Sequence, residues 1–199
     1  MGRPRTGSHA VPTRERILDA AERAFGADGF GDTKLADIAS SAEIRRSSLL
    51  YHFPSKVELH AAVVVRVFDA LQAAFAQVVA EPRPHDAQVV ALVQAYLAFL
   101  ERRPAFAGLV LRGLMDGRGP ARELLQVRLV PLLQFIEAYV GPHAPPGVPV
   151  RAALLQIGSD ALVRATAGPL RDTLWGPSQS LALAKTLLIR QVDPPEANP

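Results

Sequence analysis

The sequence predicts an all-α protein of about nine helices. Apolar residues recur at three- and four-residue spacing almost throughout, no segment shows the bounded β-branched alternation of a half-buried strand, and Gly and Pro fall where helices should end. Each element follows from these signals in turn.

Thr13 is placed to cap a first helix whose Ile17, Ala21, Ala24 and Phe25 share a face, and Gly29 supplies a left-handed stop after which Phe30 folds back. Thr33 opens a short second helix with Leu35, Ile38 and Ala39 inward. A tight connection through Ala42, Glu43 and Ile44 leads to a third. There Leu49 and Phe53 lie four apart on the buried side, leaving Ser47, Ser48 and Tyr51 outward and Arg46 near the start. Pro54 ends that helix. Ser55 with Glu58 forms a capping-box pattern, opening a long helix to about Glu81 through Leu59, Val63, Val67, Leu71, Phe75 and Val78.

Beyond Pro82 and Pro84, Asp86 is expected to cap a helix using Val89, Val93, Tyr96, Leu97 and Leu100, and Pro104 suits the first turn of the next. Gly117, Gly119 and Pro120 read as a loop. The helix after it, to about Val140, contains Pro131, which should kink it. The Pro-rich stretch from Gly141 to Pro149 reads as a loop, and two helices follow, near Val150 to Ala167 and Ser178 to Val192. The tail from Asp193 should fray.

The chain has 199 residues, enough for a small module joined to a larger one, and a formal charge of +3. With no cysteine, disulfides, thiolate nucleophiles and cysteine-ligated zinc are excluded. Charges such as Arg66, Asp69, Arg128 and Asp160 interrupt the apolar stretches, and no apolar run follows Arg3 and Arg5. The expectation is a soluble, cytoplasmic protein that does not engage a membrane. Total charge says little about nucleic acid; position has to carry that argument.

Residues 33 to 53 have the geometry of a helix-turn-helix, in which the second helix enters the major groove while the first braces the backbone contacts. Arg45, Arg46, Ser47 and Ser48 occupy the start of the second helix, where base edges are reached, and an Arg there can pair bidentately with guanine. Around this unit stand Ile17, Ala20, Ala21 and Phe25, then Gly29, Phe30 and Thr33, then Asp37, Ile38 and Ala39, and finally Leu49, Tyr51, His52, Phe53, Pro54, Ser55, Lys56 and Leu59. This ordered string resembles the DNA-binding domain of TetR-family regulators.

The resemblance implies a flexible basic arm over 1–12, a helix-turn-helix domain over 13–59, and a ligand-binding and dimerisation domain over 60–199. It implies that Thr33, with Lys34 beside it, and Lys56 hold phosphates, and that Tyr51 and His52 add groove or backbone contacts. The chain departs from the family at Glu43, where glycine is usual, and at Leu50, where tyrosine is usual. A left-handed Glu costs roughly 1 kcal/mol and sets a negative charge near phosphate. The arm at Met1 to Arg5 either enters the minor groove or stays a tail contributing a salt-dependent phosphate term.

For the C-terminal part the resemblance implies a small-molecule effector, a homodimer and, on double-stranded operator DNA, repression relieved by the effector through the long helix from Ser55. Pocket candidates are Phe68, Phe75, Tyr96, Phe99, Phe106, Met115 and Phe135, since aromatics and Met dominate apolar sites. With no inward acidic cluster, a neutral or apolar effector is expected over a multivalent cation. Gly158, Ala161 and Ala165 on one helix and Leu181, Leu188 and Val192 on the other are the dimer candidates. His9, His60, His85 and His143 form no i, i+4 pair, so no metal is expected. No nucleophile elbow, phosphate loop or dinucleotide fingerprint occurs, so neither cofactor nor enzymatic activity is expected. The competing reading is a helical interaction protein that dimerises without touching DNA.

Overall fold

The computed structural model describes residues 12–115, 120–176 and 179–189. Every regular element among them is helical: α1 (Thr13–Asp32), α2 (Leu35–Ser41), α3 (Arg46–His52), α4 (Lys56–Ala80), α5 (His85–Arg102), α6 (Pro104–Met115), α7 (Pro120–Val140), α8 (Val150–Thr166), α9 (Arg171–Trp175) and α10 (Ser180–Leu188). The expected all-α class holds, with one more helix than the sequence predicts. The short α9 sits in a segment whose Gly and Pro content argues for loop. The basic arm, most of the 117–120 loop, Val192 and the tail lie outside the described residues.

Several helix ends differ from expectation. Pro12, not Thr13, precedes the first turn of α1, and Pro84, not Asp86, that of α5. Proline serves there because the first turn has no use for its missing N–H. Lys34, not Thr33, is the residue before α2. Ser55 does cap α4, its Oγ accepting from the Glu58 N–H at 3.1 Å. Helix α7 continues through Pro131 as a single element. The Gly141–Pro149 stretch is partly ordered as a 3-10 turn over Gly141–His143.

Helices α1 to α3 form a small head around Ile17, Leu18, Ala21, Phe25, Ile38 and Leu49. Gly29 has φ 79° and ψ 174°, a region almost reserved for glycine, and there the chain turns sharply inside α1. Phe30 consequently folds back onto Phe25, ring centroids 6.2 Å apart, and both rings meet the edge of the buried His60 on α4 at 4.9 and 5.2 Å. Helix α4 is long and apolar enough to cross a membrane by length and composition. Its Leu59, Val63, Val67, Leu71 and Phe75 are instead core, first of the head and then of the body.

The head docks on the body chiefly where α1 crosses α6. A Cβ added at Gly26 would lie 2.5 Å from the Ala105 carbonyl oxygen, and one added at Gly108 would strike the Gly26 carbonyl. Two helices therefore touch backbone to backbone. Arg112 spans the contact, donating from Nε to the Gly26 carbonyl at 3.3 Å and from Nη2 to the Ala27 carbonyl. These carbonyls end the straight part of α1, where a cation is also favoured by the helix dipole.

A second tie is ionic. Arg66 of α4 donates to Asp19 at 2.7 Å, Glu22 at 2.6 Å and Glu15 at 3.2 Å, all on α1, and Arg103 reaches the same Glu22 oxygen at 2.7 Å. Burial opposes the Arg66 charge, but the hydrogen bonds to Asp19 and Glu22 outweigh it and raise the pKa above its ordinary value.

Candidate nucleic-acid interface and interior cavity

The turn between α2 and α3 sets the exposed helix. The Ile44 N–H donates to the Ala39 carbonyl and the Glu43 N–H to the Ser40 carbonyl, each at 3.0 Å. This is a Schellman ending, in which the residue after the helix must be left-handed. That residue is Glu43, with φ 53°. The arrangement is held by Arg16 of α1, which donates to the Ala42 carbonyl and, at 3.3 Å, to the Glu43 carbonyl. The turn keeps its shape without glycine and carries the strain.

Replacing Glu43 by glycine should therefore stabilise the protein by about 0.5–1 kcal/mol in urea denaturation, since the positive φ is then free. The substitution also removes the ion pair with Arg16, but that pair is 3.8 Å long with Glu43 88% exposed, and such pairs contribute little. Glu43→Ala, which keeps the strain, should give no such gain. Equal stabilisation by both would disprove the backbone account.

Helix α3 spans seven residues and is anchored by the fully buried Leu49 and, just after it, Phe53, over whose ring the Arg14 guanidinium sits at 5.2 Å. Two inward anchors leave the rest of the turn outside. Arg45, Arg46, Ser47 and Ser48 are exposed and Tyr51 is 85% exposed, packed edge-on against His52 at 5.5 Å. Ser47, Ser48, Tyr51 and His52 border a shallow depression with Thr13 and Ile44. Among the described residues, Arg45 and Arg46 are the two arginines whose side chains make neither a hydrogen bond nor an ion pair.

The residues expected at phosphates divide. Lys34 is exposed beside α2. Lys56 is half-buried, donating one hydrogen bond to the Gly31 carbonyl at 2.9 Å with its ammonium 4.7 Å above the Phe30 ring. Thr33 is a correction: its side chain is buried, and its hydroxyl donates to the Gly29 carbonyl at 2.6 Å and faces that of Ala24 at 3.2 Å. It closes the turn at Gly29.

In the body, α4 to α8 and α10 surround an apolar cavity of about 210 Å³. Phe75, Tyr96 and Phe106 line it as expected. Phe68 and Phe99 pack against Phe106 at 5.4 and 5.2 Å without lining it. Met115, 82% exposed, and Phe135, 46% exposed, are corrections, for neither reaches the cavity. Its wall is mostly aliphatic, including Leu92, Val110 and Leu162. Sequence reasoning misses these residues because Leu and Val at helical spacing carry no mark that separates a wall from a filled core.

Two of the dimer candidates, Ala161 and Leu188, need correction. Ala161 and Leu188 are buried inside the chain's own core, and Gly158 lines the cavity with its carbonyl accepting from the Tyr96 hydroxyl at 3.2 Å. Ala165 and Leu181 are half-buried against the core. The outward stripe of α8 comprises Ala152, Leu155, Ser159 and Val163, and α10 exposes Ala182 and Thr186. The i, i+3, i+7 spacing of Ala152, Leu155 and Ser159 is visible in the sequence, but the small residues that suggest close approach lie on the opposite face.

A compact helical head bearing an outward helix with unpaired arginines, tied to a helical body with a hollow core, defines a helix-turn-helix protein. Residues 17–63 match the family described as bacterial regulatory proteins, tetR family. The chain is 35% identical over 91 residues to the HTH-type transcriptional regulator SrpR of Pseudomonas putida, covering 46% of this chain and 43% of SrpR. Over the same length it is 35% identical to the uncharacterized HTH-type transcriptional regulator TtgW of Pseudomonas putida, covering 68% of TtgW. The match thus spans less than half of SrpR and about two thirds of TtgW. The fold agrees along nearly the whole chain with the transcriptional regulator FadR of Bacillus subtilis, solved in complex with stearoyl-CoA: TM-score 0.66, 15% identity, 87% of this chain and 95% of that one. The chain belongs to the TetR family of transcriptional regulators.

Proposed function

We propose that this protein is a cytoplasmic transcriptional repressor that binds double-stranded operator DNA as a homodimer and is released by a small-molecule effector, without catalysis. The observation that carries the proposal is the state of α3: a short outward helix at whose start the Arg45 and Arg46 side chains have no hydrogen-bond or ion-pair partner among the described residues. Cations so placed supply phosphate attraction, and the first turn of a helix in the major groove brings an Arg to base edges. Ser47, Ser48 and Tyr51 complete the surface, with Lys34 and Lys56 at its borders.

Pairing of two copies through the outward faces of α8 and α10 would present two such helices about one DNA turn, roughly 34–36 Å, apart. The cavity is the place for an effector, and the family likeness to a regulator solved with stearoyl-CoA supports a ligand in this fold. Arg46→Ala and Tyr51→Ala should each weaken binding to the operator by roughly 10- to 100-fold, the 1–3 kcal/mol of a base or close backbone contact, and leave the melting temperature and the two-chain sedimentation unchanged. Unaltered DNA binding by both variants would restore the reading as an interaction protein.

A further inference from the structure

We infer that the effector is a small neutral molecule, on the order of ten non-hydrogen atoms, mostly hydrocarbon and carrying at most one hydroxyl or carbonyl group. This rests on the proposed function and assigns the chemistry of its ligand site. The size follows from the cavity: an aliphatic and aromatic hole of about 150 Å³ stays dry and accepts benzene, and this one measures about 210 Å³. A larger or branched ligand would need the walls to move.

The chemistry follows from the lining. Among the described residues, no charged side chain borders the cavity. An ion entering it would lose its hydration with no opposite charge or fork of donors to replace it, a penalty that burial of apolar carbon cannot offset for so small a molecule. The polar side chains at the wall are already engaged. The Tyr96 hydroxyl donates to the Gly158 carbonyl at 3.2 Å, and the Ser159 hydroxyl donates to the Leu155 carbonyl of its own helix at 2.7 Å. Burial raises the pKa of the Tyr96 phenol, which keeps it neutral. Its oxygen can still accept one hydrogen bond, and the Gly158 carbonyl keeps a lone pair. That edge of the cavity therefore suits a single hydroxyl, with apolar walls on the remaining sides.

Three probes of one chain length separate the possibilities: 1-octanol, octanoate and octylammonium, titrated at neutral pH into the full-length protein by calorimetry and into its operator complex by fluorescence anisotropy. The expected result is that 1-octanol binds and releases DNA, while each ion binds at least tenfold more weakly. Tyr96→Phe should lower octanol affinity about fivefold. Leu132→Trp and Leu162→Trp, which fill the cavity from its half-buried walls, should each abolish octanol binding while the far-ultraviolet circular dichroism stays that of the folded helical protein. An ion binding as tightly as the alcohol would overturn the inference, as would octanol binding that survives both tryptophans. Failure of all three probes to bind, with operator binding normal, would also overturn it and leave the repressor reading standing. Failure of the unmodified protein to bind any operator would instead remove the repressor reading.

Discussion

Gly108→Ala is expected to cost about 2–3 kcal/mol of unfolding free energy and to weaken operator binding roughly tenfold. The same change in an open helix would be favourable, because alanine gains about 1 kcal/mol over glycine from backbone entropy and propensity. Here the new methyl meets the Gly26 carbonyl at a distance no folded protein tolerates. Helices α1 and α6 must part, and overpacking of this kind costs about 1–3 kcal/mol before the Arg112 bonds to the Gly26 and Ala27 carbonyls are counted. DNA binding follows because α6 is a shared wall. Its Phe106, Val110 and Leu114 line the cavity while Ala105, Gly108 and Arg112 meet α1. Wedging the helices apart imitates a displaced head. Gly158→Ala provides the opposite sign in one fold: a Cβ there meets nothing within 4 Å, so about 0.5–1 kcal/mol of stabilisation is expected. Urea denaturation of both variants decides the matter, and destabilisation by both would refute the steric account.

That crossing also marks where sequence reading stops. Helix faces are legible because periodicity reports burial, which is why Ile17, Ile38, Leu49, Val63 and Phe75 are all placed inward by spacing alone. The left-handed Glu43 is legible because the two short helices leave only a tight turn between them. Gly26 and Gly108 are not, since a glycine within a helical pattern looks like a local weakness until its partner helix is known. Thr33 misleads for a related reason: a threonine before an apolar helix fits a cap or a phosphate contact equally, and only the fold reveals that Gly29 turns a carbonyl towards it. Aromatic identity misleads in the same way at Phe135, as does the thioether at Met115. Residue type says what a pocket would welcome, whereas the rotation of α6 and α7 decides which side chains reach it. The charge at Arg66 registers in the sequence as an interruption of an apolar run, and its three carboxylate partners come from a helix more than forty positions away.

Arg66→Met is the second large effect, expected to cost about 3 kcal/mol while preserving the aliphatic stem's packing. Not all three ion pairs contribute equally. Glu15 and Asp19 are about half exposed, and ion pairs at such sites contribute from nothing to about 1 kcal/mol. The Glu22 side chain is 9% exposed and shares its oxygen between Arg66 and Arg103, so there the desolvation has already been met and removing Arg66 leaves a buried carboxylate that Arg103 must balance with half of the charge-assisted bonds gone. A double-mutant cycle should give at least about 1 kcal/mol of coupling between Arg66→Met and Glu22→Gln, and under about 0.5 kcal/mol between Arg66→Met and Glu15→Gln. Molar salt should shrink the Glu15 term and spare the Glu22 term, because screening acts on exposed charges first. Equal couplings at the two sites would mean that the network is only a surface cluster. Glu22 would then have no special part in fastening α1 to both α4 and the α5–α6 junction, and the rigidity of the head would have to come from the Gly26–Gly108 crossing alone.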